Sequence, residues 1–267
     1  MNDLKILELK RNYDFYNFLA NNGRSTVLDD FQKVLHHENR FFINNHKIFE
    51  HIKSLFDEYT IVLSMNELLF RARKVESNDV TKFCTDEYNE EEFYGYNKKD
   101  SFVPLMKNIN ANRANAKGIP CLYAAKEEKT AIAEIRPFLG STVSVATIKL
   151  VRDLKIFDLY FDYDMSNSDI VKLPLADIWF GLAFAYSIPY ENSSQNEYLL
   201  TQCVSEYFQI SGFDGIQYSS SLNEGGKNLA LFNCKHENDF GKYETCEPIS
   251  SHCCIIKNIK HEYEFYS

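Results

Sequence analysis

The hydrophobic positions divide the chain into two unlike parts. Near the start they follow helical spacing: Leu4, Leu7, Tyr13, Phe15, Tyr16, Phe18 and Leu19 lean to one side of a helix before Gly23, a helix stop. Ile48, Ile52, Leu55, Phe56 and Tyr59 keep to an i, i+4, i+7, i+8 face. This predicts a small all-helical segment over residues 1–60 and a second unit over 61–267. From Thr60 onward the pattern shifts to short β-prone runs: Thr60–Leu63, Leu68–Ala72, Ile119–Ala125, Thr142–Leu150, Lys155–Leu159, Asp214–Tyr218, Asn228–Asn233, Ile255–Ile259 and His261–Tyr266. Helical stretches lie between them at Glu127–Arg136, ended by Pro137, at Ser168–Tyr186, and at Asn196–Ile210, ended by Gly212. Strands and helices without a regular βαβ beat predict an α+β fold rather than a doubly wound sheet.

Composition narrows the class. Of 267 residues, 45% are hydrophobic and 15% aromatic, too many for a disordered chain. Lysine and arginine total 29 against 38 aspartates and glutamates, a net charge of −9. Nucleic-acid binding needs clustered cations, so direct nucleic-acid binding is not expected. A local basic pocket for a small phosphorylated ligand stays compatible with that charge. No apolar run nears the about eighteen residues of a membrane helix. Asp3, Lys5, Glu8, Lys10 and Arg11 interrupt the N-terminus where a signal peptide would be apolar. The seven cysteines are scattered and odd in number, which suggests reduced thiols in a cytoplasmic protein without membrane association. The acidic run Asp86–Glu92 reads as a solvated loop.

Tyr13, Phe15, Tyr16, Phe18, Phe31, Phe41, Phe42, Phe49, Phe56 and Tyr59 crowd the helical segment. A unit of that length buries only about 60% of its surface on folding. Some of these rings are therefore expected on the second unit, on a partner, or on a second copy in a homo-oligomer.

Several familiar signatures are missing. The chain has no G-x-G-x-x-G, no G-x-x-x-x-G-K-[ST] and no G-x-S-x-G, so dinucleotide Rossmann, P-loop and hydrolase-elbow chemistry lack their local basis. Gly225-Gly226-Lys227 has no upstream partner glycine and reads as a tight turn. Cys234, His236, Cys246, His252, Cys253 and Cys254 could supply metal ligands, but they include no C-x-x-C pair and fall in strand-like sequence where neighbours point to opposite faces. Buried or edge cysteines are the favoured reading, with no metal.

One stretch concentrates placed polar groups. Asn112-Arg113-Ala114-Asn115-Ala116-Lys117-Gly118 reads as a polar loop running into a strand that carries Tyr123. In the helix that follows, Ile132 and Ile135 mark an apolar side, while Glu134 has the small Ala131 and Ala133 beside it and so has room for a ligand. The plainer alternative is a surface ion pair of Glu134 with Arg136 or Lys129.

The order of these residues resembles a known family. Arg113-x-Asn-x-x-Gly-x-Pro-x-Leu-Tyr123, then Thr130-Ala-Ile-Ala-Glu134, is similar to the core of the RES-domain family. Glu197-Tyr198-x-x-Thr201-Gln202, Gly212-Phe213-Asp214-Gly215-Ile216-x-Tyr218-x-Ser220-Ser221 and Gly226-x-Asn228-Leu229-x-Leu231-Phe232 continue the likeness, which runs from about Leu68 to Cys234. The resemblance implies a bent, split β-sheet like that of the ADP-ribosyltransferase catalytic domain, with the helical segment as an N-terminal extension. It also implies a growth-arresting toxin that consumes NAD⁺, by hydrolysis or phosphorolysis, and a separately encoded antitoxin. NAD⁺ is then substrate, and no cofactor is expected. Carried over residue by residue, the resemblance makes Arg113, Tyr123, Glu134 and Ser220 the catalytic set, with Ser219 as the competing serine. Arg71, Arg113, Tyr123, Ser220 and Asn228 are the expected substrate contacts. Thr130 stands where some relatives carry a basic residue.

The residue types suit that chemistry. Breaking the nicotinamide–ribose bond develops positive charge on the ribose, and a fixed carboxylate such as Glu134 stabilises it. The pyrophosphate calls for the planar guanidinium fork of Arg113 or Arg71. Tyr123 offers a ring face and a hydroxyl, and Ser220 a hydrogen bond. Two other readings compete. A protein ADP-ribosyltransferase would use the same Glu134 but often needs a second acidic residue two positions earlier, where this chain has Ile132. An inactive NAD-binding or interaction module is disfavoured by the intact Arg113, Tyr123, Glu134 and Ser220.

Overall fold

The structure, a computed structural model, describes residues 25–76, 93–104, 109–161, 176–188 and 198–259. The predicted first helix before Gly23, the Asp86–Glu92 loop, residues 168–175, Glu197 and the His261–Tyr266 run lie outside the described residues. The described part has six helices and eight strands, and the fold is α+β.

Helix α1 (Thr26–His37) starts where the Ser25 side chain accepts a hydrogen bond from the Leu28 N–H, and it ends with His36 and His37 against the negative end of the helix dipole. Leu28, Phe31 and Leu35 form its buried face. The periodic run after residue 47 folds as two short helices, α2 (Ile48–Ser54) and α3 (Phe56–Tyr59), broken at Leu55.

These helices dock on the rest of the chain rather than standing apart. Phe49 packs on Tyr207, whose hydroxyl donates to the Phe49 carbonyl at 3.1 Å. Phe56 meets Phe213 edge-on at 4.8 Å, and Tyr59 stacks on Trp179 at 5.0 Å. Leu28 fills the space over Gly181, where a Cβ would come within 2.4 Å of its Cδ1. Docking on the second unit therefore accounts for Phe49, Phe56 and Tyr59, while Phe41 and Phe42 remain exposed. Each fully buried large apolar side chain in this layer contributes about 1.5–3 kcal/mol.

The strands are β1 (Thr60–Leu63), β2 (Leu68–Lys74), β3 (Cys121–Ala125), β4 (Thr142–Leu150), β5 (Leu154–Leu159), β6 (Gly215–Ser219), β7 (Lys227–Phe232) and β8 (Cys246–Ile255). They form one sheet in the order β1-β5-β6-β7-β3-β2-β4-β8. Among the described strands only β5 and β6 pair in parallel, and the chain between them carries α5 (Ala176–Ser187) and α6 (Leu199–Ile210). On β7, Leu229 and Leu231 enter one core while Ala230 and Phe232 enter the helix-covered core on the other face.

The two halves of the sheet meet at a narrow junction. β2 pairs with β4 over seven residues and β3 with β7 over five, but β2 and β3 share a single register pair, Phe70 opposite Ala125. Helix α4 (Glu128–Glu134) packs over this junction through Ala131 against Ala72, Ala125, Val143 and Val145. The small side chains let the helix approach closely.

The last strand differs from the sequence expectation. Residues 256–259 are not in a strand, and β8 instead occupies Cys246–Ile255. Its sequence holds Pro248, two serines and His252, and few β-branched residues. An irregularity in its pairing with β4, opposite Thr147 and Ile148, accommodates the proline.

Candidate active site

Helix α4 carries Glu134 as its last residue. The carboxylate is half-buried, and its Oε1 accepts two hydrogen bonds, from Ser220 Oγ at 2.7 Å and from Asn228 Nδ2 at 2.6 Å. Ser220 Oγ itself accepts from the N–H groups of Leu222 and Asn223, at 3.2 and 3.1 Å, so its single proton is directed at Glu134. Ser219 points elsewhere: its hydroxyl donates to the Phe161 carbonyl and accepts the Phe161 N–H. Of the two candidate serines, Ser220 is the one beside the glutamate. No surface ion pair with Glu134 occurs among the described residues, and Lys129 pairs with Glu127 instead.

The loop that presents Ser220 is anchored to the same helix. Gly225 turns at φ 69°, and Asn223 Nδ2 donates to Thr130 Oγ1 at 2.7 Å. A Cβ on Gly226 would lie 2.7 Å from that Thr130 oxygen, so this position excludes a side chain. The Gly225-Gly226 pair is thus a tight turn, and Thr130, fully buried, serves it rather than the cleft.

Arg113 sits on a rim closed by its own neighbours. Asn112 and Asn115 exchange backbone hydrogen bonds, and Asn112 Oδ1 accepts the Arg113 N–H at 2.8 Å. The Tyr123 hydroxyl accepts the Ala114 N–H and donates to Asn115 Oδ1, both at 2.8 Å. From α6, Gln202 Nε2 donates to the Asn112 carbonyl at 2.9 Å. The guanidinium of Arg113 lies 5.4 Å from the Tyr218 ring centroid, and its buried Nε has no hydrogen-bond partner. An unsatisfied buried guanidinium donor is costly and suits an anionic ligand. Burial pushes the Tyr123 phenol well above its ordinary range, so it stays a protonated donor. Its hydroxyl is taken up by the loop, and what it offers a ligand is its ring.

Between these parts lies a cleft of about 600 Å³ at the β2–β3 junction. Among the described residues, its charged lining consists of Arg71, Arg113 and Arg136 with the single carboxylate of Glu134. The cleft is therefore locally positive in a chain of net charge −9. Arg71, on β2, donates to the Ser101 carbonyl at 3.3 Å. Burial, and then the neighbouring Arg73, pull its pKa down to about 9. Both Arg71 and Arg113 thus face the cleft without a carboxylate partner among the described residues.

Arg136 also lines the cleft. It follows the C-cap of α4 in the left-handed region, at φ 44°, immediately before Pro137. A bulky residue at such a φ is strained, and the conformation ends the helix one turn before the proline. Backbone conformation of this kind leaves no mark in hydrophobic periodicity. Tyr198 and Tyr218 also line the cleft.

The C-terminal cysteines and histidines are spread out. Cys234 and Cys246 lie buried with their sulfurs 3.4 Å apart, His236 bonds the Val103 carbonyl, and His252 pairs with Glu128 at 3.0 Å. Cys253 is exposed. Among the described residues, no three His, Cys, Asp or Glu side chains converge as a metal would require. Among them, too, no helix is long and apolar enough to cross a membrane.

Comparison with known proteins adds two findings. The RES domain family model matches residues 93–249. Among solved structures, the chain is similar to one in the crystal structure of the M. tuberculosis MbcT-MbcA toxin-antitoxin complex, at 12% identity and a TM-score of 0.38. That likeness covers 77% of this chain and 93% of the other. No curated protein matches the sequence.

Proposed function

This chain belongs to the RES-domain family, and from that premise we propose that it binds NAD⁺ in the β2–β3 cleft and cleaves the nicotinamide–ribose bond. The observation that carries this reading is the carboxylate of Glu134, fixed by Ser220 and Asn228 at the wall of a cleft otherwise lined by guanidinium charge.

The chemistry assigns each group a part. Arg113 and Arg71 hold the pyrophosphate through their guanidinium groups. The ring of Tyr123 offers a flat face to the nicotinamide, while its hydroxyl keeps the Arg113 loop closed. Glu134 stabilises the cation that develops on the ribose as neutral nicotinamide leaves. No general acid is needed, because the departing group carries no proton debt. The ribose cation is then captured by water or by phosphate.

Unregulated turnover of this kind drains a shared metabolite, so the protein acts as a growth-arresting toxin, and its family membership implies a separate antitoxin. Expression should halt growth, with NAD⁺ falling before membrane integrity is lost. The direct test is incubation of the purified protein with NAD⁺, with and without phosphate, and chromatography of the products. Nicotinamide with ADP-ribose means hydrolysis, and nicotinamide with a phosphorylated ADP-ribose means phosphorolysis. Label on protein would mean transfer, and intact NAD⁺ in both arms would reject the reading.

A further inference from the structure

Both hydrogen bonds on Glu134 fall on the same oxygen. Asn228 Nδ2 and Ser220 Oγ reach Oε1 at 2.6 and 2.7 Å, and among the described residues no donor reaches Oε2. An ionised carboxylate only accepts, so the Asn228 amide presents its nitrogen, not its oxygen, to Glu134.

The setting of Asn228 makes this bond its evident purpose. It sits on β7, paired with Ala125 on β3 and Tyr218 on β6, and is only 3% exposed. Asparagine is disfavoured in a central strand, and a buried amide is costly unless it is bonded. The next residues of the strand, Leu229 to Phe232, are all buried apolar side chains. Ser220 lies just past the other arm of the same β6–β7 hairpin. One hairpin therefore brackets a carboxylate that arrives from helix α4.

Resting on the reading of the cleft as an NAD⁺ site, we infer that Asn228 is a positioning residue that acts through Glu134. With Ser220 it pins Oε1, so that Oε2 is the oxygen presented to the ribose. Glutamate has three rotatable side-chain bonds, and two donors converging on one oxygen leave the other with a single direction. Without Asn228 the carboxylate samples other rotamers and is less often aimed. The arginines that hold the pyrophosphate belong to β2 and to the Arg113 loop, so binding itself is left in place.

The test compares Asn228→Ala, and Asn228→Leu as a near-isosteric variant that keeps the volume while removing the donor. Each is checked for folding by its melting transition. Either variant should lose about ten- to a hundredfold in kcat, the scale of a misaligned catalytic group, with KM for NAD⁺ changed less than about twofold. In a Glu134→Gln background, Asn228→Ala should cost little more, because the group it acts through is already disabled. A raised KM with kcat intact, or losses that multiply fully in the double variant, would show direct substrate contact and overturn the inference. A second readout does not depend on turnover: the Asn228 side-chain amide signal in a ¹⁵N NMR spectrum should move on Glu134→Gln. An unmoved amide signal refutes the bracket, whereas absent NAD⁺ cleavage by the wild type with a moved signal refutes only the assigned reaction.

Discussion

The Tyr123 hydroxyl donates to Asn115 Oδ1 at 2.8 Å, tying the strand at the floor of the cleft to the loop that carries Arg113. The Tyr123 hydroxyl oxygen in turn accepts the Ala114 N–H. Tyr123→Phe keeps the ring and removes both bonds. The expected cost is about 1–3 kcal/mol for the partners left unsatisfied, or a melting temperature lowered by about 2–4 °C per kcal/mol. Affinity for NAD⁺ should fall with it, because the Arg113 rim loosens. Calorimetry on the folded variant checks this; an unchanged melting temperature with lost affinity would mean that the hydroxyl serves the ligand instead.

Arg136 should separate stability from function. Its φ of 44° lies in the left-handed region, which costs a non-glycine residue about 1–2 kcal/mol. Arg136→Gly relieves that strain and removes a cleft guanidinium. The variant should be at least as heat-stable as the wild type while KM for NAD⁺ rises. A destabilised variant with unaltered KM would place Arg136 outside the binding machinery.

Arg71 gives a prediction with a pH sign. Its pKa in the folded state, about 9, lies below its ordinary value, so the unfolded chain holds this proton more tightly. The charged side chain therefore disfavours the fold at every pH below about 9, and the penalty is relieved as pH rises beyond that value. Arg71→Met should raise the melting temperature at neutral pH and lose most of that advantage in strongly alkaline buffer. Pyrophosphate should stabilise the wild type at neutral pH more than the variant. Equal stabilisation of both by pyrophosphate would move the anion site away from Arg71.

Deleting residues 1–59 should yield an insoluble or molten product, not an active core. Phe31, Leu35, Ile48, Ile52 and Leu55 are buried in one core with Trp179, Phe208 and Phe213, which the deletion would expose to water. Soluble yield and a thermal melt test this. A well-folded, active truncation would show that the helices are dispensable. Light scattering on the full-length protein tests for self-association, to which the exposed Phe41 and Phe42 of the helical segment are available.

Much of this architecture is legible in the sequence where side chains repeat their pattern. Thr142–Leu150 reads as a strand because β-branched residues recur along it, and the strand has those bounds. Helix α6 ends before Gly212, which takes φ 85° as a helix-stopping glycine does. The proximity of Glu134 to Ser220 and Asn228 joins residues 86 and 94 positions apart. Periodicity carries no such information, and only the ordered likeness to a family brought these residues under one heading. Strand β8 was hidden by Pro248 and its polar residues, since its register comes from pairing with β4 rather than from its own propensity. The commitment of the Tyr123 hydroxyl to a loop was equally invisible, because a tyrosine in sequence shows its chemistry but not its partners.

The proposed role of Glu134, that its carboxylate drives cleavage of NAD⁺, is tested by the release of nicotinamide from Glu134→Gln against the wild type. Glutamine keeps the shape, and Ser220 and Asn228 can still hold it in place. The expected outcome is a folded variant that binds NAD⁺ but releases nicotinamide at least about a hundredfold more slowly, because transition-state charge stabilisation is removed. Nicotinamide release at near wild-type rate from a well-folded Glu134→Gln protein would contradict it.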